Sequence, residues 1–491
     1  MLTLRADRHA VPIDMLPDDV LLEIFDLCLR DPTASGWRAL VHVCQRWRRI
    51  VFASPRRLGL RLKCSSGTPV RTNLPFWPVT LPLAIDYRHD YLALGGQICH
   101  EDEDNILAVL GHPRRVHRIT IHGGLLTRKV VTTMRKSFPA LTNLDLEWDA
   151  DEHRGTFRVI PKRFLGKTAP RLQLLRLRQI SFPQLPTFLL STRNLVTLKL
   201  KEIPPEGCIS PEALVGGLTA LTRLTTLSIS FYDEDDSPSD ELRSHPDPLA
   251  RVILPTLTNF HYIGRSQYLE DFLARIDTPL LDTVKIEYVS PDIQVSQLSR
   301  FIERTENLKL DQFTCAEVTL FHENICFKLD CPRGKRSLSL NILGQEYLEI
   351  RTPGMAHLLS QLTATFSNVD DLFAHGNYVE SDGMEITECV PFFRLFPAVE
   401  TLRLSRHVAS HFTSALEETT EENVIDVLPA LRLIRFLEGE DDSDSVDYDD
   451  IWDKLVKSIE RFLSLRQLSG CPVTVINPED DSVDSESEEN P

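Results

Sequence analysis

The chain has 491 residues, more than one globular core usually holds, so several domains or a repeat architecture are expected. Its formal net charge of −17 is uneven: residues 438–491 hold 17 acidic and 4 basic side chains, whereas residues 1–63 hold 11 basic and 7 acidic. With 42% hydrophobic and 25% charged residues and an acidic body, the composition is that of an ordinary folded protein and argues against a general nucleic-acid binder.

No run of 18 apolar residues occurs, and the first residues lack the apolar stretch of a secretory signal. The 10 cysteines are scattered without Cys-x-x-Cys pairs, and no Asn-x-Ser/Thr sequon is present. Both features fit a reducing compartment, so a cytoplasmic or nuclear location is expected.

After a short arm (1–13), the first element is "MLPDDVLLEIFDLCL" (15–29). Pro17 suits the first helical position, and Asp18 and Asp19 complement the positive end of the helix dipole. Projected at 100° per residue, Asp19, Glu23 and Asp26 share one narrow strip, and apolar side chains from Val20 to Leu29 cover an arc of roughly 220°. A helix facing only its own core needs little more than about 100°. A second apolar face therefore remains, for the chain's own next domain or for another protein. After the turn "DPTASG" (31–36), Trp37, Leu40, Val41, Cys44, Trp47 and Val51 recur at spacings of 3 and 4, predicting a second helix that Pro55 ends.

These residues resemble an F-box, whose pattern runs Leu-Pro, a carboxylate, apolar pairs, Val-Cys-x-x-Trp and a later Ser-Pro. Leu16, Pro17, Ile24, Phe25, Leu40, Val43, Cys44, Trp47, Ile50 and Pro55 fall on it, within a segment spanning 14–63. The connection 30–36 is slightly longer than the pattern has it. The resemblance implies docking on a Skp-type adaptor, which joins F-box proteins to a cullin-based ubiquitin ligase. It places Leu16, Pro17, Val20, Leu21, Ile24 and Phe25 against the adaptor and Leu40, Val43, Cys44, Trp47 and Ile50 in the F-box core.

In the linker and cap (64–115), alternation of Val79, Leu81, Leu83, Ile85 and Tyr87 predicts a strand over 79–87, and "DEDNILAVLGHP" (102–113) reads as a helix. From residue 116 to 437 one pattern returns: apolar, two others, apolar, one other, apolar. Copies start at 116, 141, 172, 195, 224, 257, 281, 399 and 431, with neighbours 23–33 residues apart, and six have a proline two residues ahead. The gap of 118 residues from 281 to 399 leaves room for three degenerate copies, with "LDQFTC" (310), "RSLSLNI" (336) and "LLSQLTATF" (358) as candidates.

Each copy predicts a short strand with one buried face, and such units bury a continuous core only by stacking. This is leucine-rich-repeat logic. The position that holds Asn in regular repeats is here Gly124, Asp149, Ile180 and other residues, so an irregular solenoid is expected: a curved parallel sheet with helices outside, α/β in class. The order F-box, cap, irregular repeats and acidic loop resembles F-box proteins abundant in mushroom-forming fungi. Outward strand positions include Asp145 and Glu147, then Arg176 and Arg178, then Lys199 and Lys201. These four cations are expected to form one substrate-binding patch on the concave face. The acidic loop 438–450, with 8 carboxylates in 13 residues, and the tail 478–491 are expected to stay solvated, with a last helix and strand between them (451–477).

No catalytic constellation is legible. "HGG" (122–124) has no accompanying Gly-x-Ser-x-Gly, and "RGKRS" (333–337) lacks the order of a phosphate-binding loop. His322, Cys326 and Cys331 lack a fourth zinc ligand at a usual spacing, and Asp441–Asp450 lacks the glycine of a calcium loop. No cofactor or metal is expected, nor contact with nucleic acid or membrane. The expected function is a non-enzymatic substrate receptor of a Skp–cullin–F-box ligase, with a protein substrate of unknown identity. The alternative is a repeat scaffold acting outside such a ligase.

Overall fold

A computed structural model describes residues 13–29, 37–55, 57–66, 70–88, 100–148, 159–231, 250–289, 293–321, 324–331, 334–343, 352–363, 365–376, 389–417, 419–420, 424–437 and 449–476. The protein is α/β, with mostly parallel strands joined through helices and turns. It divides into two compact units, Met1–Leu177 and Arg178–Pro491. The acidic segments 438–448 and 477–491 lie outside the described residues, as does His322.

The first unit opens with three helices, α1 (Asp18–Cys28), α2 (Trp37–Val43) and α3 (Gln45–Ala53). The spacing had predicted α2 and α3 as one helix. Cys44 breaks it with an extended backbone (φ −155°, ψ 170°), and its Sγ accepts from the Trp47 N–H at 3.4 Å, capping α3. Trp37 of α2 and Phe52 of α3 then meet Trp77 edge-on, at 5.2 and 6.2 Å between ring centroids. This contact ties the two helices to the segment that follows them.

Next come β1 (Leu62–Cys64), β2 (Leu83–Tyr87), β3 (Val116–His122), β4 (Asn143–Glu147) and β5 (Leu174–Arg178), hydrogen-bonded in that order. The pairings β1 with β2, β2 with β3 and β3 with β4 are parallel. The strand predicted over 79–87 is shorter, because Pro82 lacks an N–H and the chain turns through 78–81 before entering β2. Thus 62–87 supplies two sheet strands rather than a linker with one.

The second unit continues with β6 (Thr197–Ile203), β7 (Thr226–Phe231), β8 (Val252–Ile253), β9 (Asn259–Gly264), β10 (Ile276–Asp277) and β11 (Thr283–Tyr288). β8 and β10 form a separate two-stranded pair, while β6, β7, β9 and β11 are parallel neighbours. Then follow β12 (Cys315–Leu320), β13 (Asn324–Asp330), β14 (Ser337–Leu343), β15 (Asp371–Gly376), β16 (Thr401–Ser405), β17 (Leu433–Leu437) and β18 (Thr474–Ile476).

The expected three copies between 281 and 399 are rearranged. β14 pairs with β11 and β12 with β15, both parallel, while β13 runs antiparallel between β14 and β12. The chain thus passes over two strand positions after β11 and fills them on its way back. "LDQFTC" lies across a 3-10 turn (Leu310–Gln312), and the repeat frame falls instead on Phe313, Ala316 and Val318. "LLSQLTATF" begins inside the helix Thr352–Leu362, and its frame falls on Val369, Leu372 and Ala374. "RSLSLNI" does contain a strand, β14.

The first apolar position of the copies from 141 on, at Leu141, Leu172, Leu195, Leu224, Leu257, Leu281, Val399 and Leu431, is buried throughout. Each such leucine contributes about 1.5–3 kcal/mol by leaving water. Backbone donors just before each strand link neighbouring copies. Thr142 N–H donates to the His117 carbonyl at 2.8 Å, Thr258 to Thr225 at 3.0 Å, Asp282 to Thr258 at 2.9 Å and Arg432 to Glu400 at 2.9 Å. The helix predicted after residue 450 is two, Asp449–Ser458 and Glu460–Leu468, followed by β18.

Candidate functional site

Two surfaces carry the residues singled out from the sequence. The first is α1. Leu21 and Phe25 are fully buried, with the Phe25 ring 4.7 Å from that of Trp47. They lie four apart on the stripe that meets α3, so in this chain they are core; the expectation that they face an adaptor is corrected. On a different face Val20 and Leu27 are 39% and 59% exposed, with half-buried Ile24 between them at helical spacing. Pro17, exposed, stands at the N-cap rather than the first helical position, and Leu16 before it is half-buried.

The polar strip of α1 acts as a clamp. Arg46 of α3 donates from Nη2 to Asp18 Oδ1 and to the Leu16 carbonyl, both at 2.6 Å, and Arg57 pairs with Glu23. Of the expected core positions, Ile50 is buried and Leu40 and Trp47 are half-buried. Val43, 60% exposed, and exposed Cys44 are not core. The break at Cys44 resets the helical phase, so the stripe on α2 does not continue onto α3.

The second surface is the outward side of the strands. In the first unit Arg176 lies 3.9 Å from Asp145, and His122 Nε2 lies 3.2 Å from the same carboxylate without hydrogen-bond alignment. In the second unit Arg178 Nε donates to Glu202 at 2.8 Å, and half-buried Lys199 and Lys201 stand on β6. Each arginine is matched by a carboxylate, so neither presents the uncompensated charge expected from the sequence. Simple alternation would have turned Glu202 inward with Leu198 and Leu200. Instead a register shift after Leu200, with Glu202 at φ +50°, delivers it to Arg178 and to Gln179 Nε2 at 2.8 Å.

Histidine–carboxylate pairs recur across the outward strand positions of the second unit. His261 Nε2 lies 3.2 Å from Glu287, and His375 Nε2 lies 2.7 Å from Glu317. Both carboxyls are pulled down to about 2, first by the histidine hydrogen bond and then by Lys285 or Lys328. A carboxyl depressed in the folded state contributes stability above its unfolded pKa of about 4.3 and loses it as pH falls through the folded value. Stability to urea should therefore fall between about pH 4.3 and about pH 2. Glu317→Gln with Glu287→Gln should flatten that acid limb; an unchanged limb would remove these pairs as its source.

No family model and no curated protein matches the chain. Among solved structures, a structural-genomics target from Bacteroides fragilis aligns over 84% of this chain and 70% of its own at 9% identity. Its TM-score is 0.16, a likeness that carries no argument about fold or function. Among the described residues, no helix is long and apolar enough to cross a membrane.

Proposed function

We propose that the protein is a substrate receptor of a Skp–cullin–F-box ubiquitin ligase, its N-terminal helices docking the adaptor and its repeat strands, arranged as an irregular leucine-rich-repeat solenoid, engaging a protein substrate. The observation that carries this reading is the division of α1 into two apolar faces. Leu21 and Phe25 serve the internal core, whereas Val20, Leu27 and the adjoining Met15 remain exposed. Aliphatic side chains standing open beside a rigid helix pair are what a helical adaptor would cover. The rings that anchor α2 and α3 to the chain's own next segment, Trp37, Phe52 and Trp77, use other residues, so anchoring does not consume the open face.

Co-expression with a Skp-type adaptor tests the reading. The native chain should co-purify with it, and Leu16→Ala with Pro17→Ala, or Leu27→Asp alone, should abolish co-purification. Because Leu27 is exposed, circular dichroism and the melting temperature should barely move. Undiminished co-purification of Leu27→Asp would remove the docking face. It would leave the alternative, a repeat scaffold acting outside a ligase.

A further inference from the structure

A cleft of about 1070 Å³ opens in the first unit, between the end of α3, the loop before β2 and the starts of the following strands. Its walls include Arg57, Arg61, Arg114, Arg115, Arg171 and His117, and no aspartate or glutamate. That composition stands out in a chain with 71 acidic and 54 basic residues. Arg57 is paired with Glu23, and Arg115 donates to the carbonyls of Leu81 and Pro78, both at 3.0 Å. Arg61, Arg114 and Arg171 are exposed and have no hydrogen-bond or ion-pair partner among the described residues. His117 Nδ1 is buried without a partner.

We propose that this cleft binds a phosphorylated segment of a polypeptide, the free guanidinium groups of Arg61, Arg114 and Arg171 receiving its phosphoryl oxygens. The lining cations are all arginine, whose planar fork matches phosphate oxygens in pairs. Between them the walls are aliphatic, with Pro55, Leu60, Val79 and Pro82, and Val79 is 78% exposed, open to apolar side chains flanking a phosphorylated residue. A nucleic acid is the poorer fit. Stacking of bases needs free aromatic faces; of the two aromatic rings of the walls, Phe52 is packed against Trp37 and Trp77, and His117 is half-buried with its Nδ1 enclosed. The volume lies at or above the upper end for small-molecule sites, which suits several residues of extended chain.

This inference is independent of adaptor docking, since the full chain alone suffices to test it. Fluorescence anisotropy would compare a labelled peptide carrying two phosphoserines among leucine and proline residues, its unphosphorylated form, and a single-stranded RNA of equal length, with inorganic phosphate as competitor. The phosphopeptide should bind at least tenfold more tightly than the other two probes, and phosphate should compete only at far higher concentration. Arg114→Glu with Arg171→Glu should weaken phosphopeptide binding more than tenfold. Arg114→Lys with Arg171→Lys should weaken it less, because charge is kept and the fork is lost. The fold should tolerate both pairs, as these side chains bond to nothing else described. The proposal is overturned if the charge-reversed chain binds equally well, if the RNA binds more tightly, or if free phosphate competes as well as the peptide.

Discussion

Replacing Gly376 by alanine should unfold the second unit or cost it more than about 4 kcal/mol, the range reserved for exceptional single substitutions. Gly376 ends β15 and pairs with Leu320 of β12. A Cβ built on Gly376 would collide with the Leu320 carbonyl oxygen and crowd that residue's backbone nitrogen. No side-chain rotation can relieve a clash with backbone, so the two strands would have to part. That junction is where the chain resumes its parallel course after the reversed strands, and its disruption would expose buried Leu320 and Ala374. Gly216→Ala is the control. It lies in the helix Pro211–Leu218 with open space around its Cβ, and alanine should stabilise that helix by up to about 1 kcal/mol. Urea denaturation of both variants decides the matter. A Gly376→Ala chain within about 1 kcal/mol of the native one would mean that the strands separate there without cost.

The repeat strands were legible because their buried positions follow a fixed frame. Leu144 and Leu146, or Leu198 and Leu200, face inward at a period of two, and proline marks the turn before many of them. What escaped were features that depend on partners distant in sequence. Nothing local in "RSLSLNI" says that β14 pairs with β11 while β12, earlier in the chain, takes the place beside β15. A strand buried by neighbours on both sides reads alike whichever neighbour it has. The break at Cys44 escaped because Trp37 to Val51 keep helical spacing across it, and one extended residue changes the phase without changing the pattern. The adaptor-facing set failed in part for a related reason. A helix apolar over most of its circumference does not declare which stripe meets its own core, and Leu21 and Phe25 took that role through Trp47. The cleft had no signal at all, since its five arginines come from three stretches between residues 57 and 171 and meet only in the folded unit.

Glu270 should prove among the costliest polar side chains to remove from the second unit. It sits on the helix Ser266–Leu273, only 4% exposed, and points at the start of the neighbouring helix Ser296–Arg304. The first N–H groups of a helix have no partner within it. Val295, at the N-cap position, has no side-chain oxygen to serve them. Glu270 does so from outside: Oε2 accepts from Gln297 N–H at 2.6 Å and Ser296 Oγ at 2.9 Å, and Oε1 accepts from Leu298 N–H at 2.9 Å. One carboxylate thus caps a helix and ties two successive repeats together. Glu270→Ala would leave the half-buried Gln297 and the buried Leu298 N–H groups without acceptors, at about 1–3 kcal/mol for each one fully buried, while exposed Ser296 can turn to water. Glu270→Gln keeps the shape but replaces one acceptor oxygen by an NH₂ that would face donors, so its cost should fall near that of a single lost bond, about 1–3 kcal/mol. The ordering native, Gln, Ala in denaturation midpoint is the expected result. In amide exchange, the N–H groups of Gln297 and Leu298 should lose protection in both variants before the rest of the helix does. If the alanine chain matched the native midpoint, water would have to satisfy those donors, and the capping role would fall.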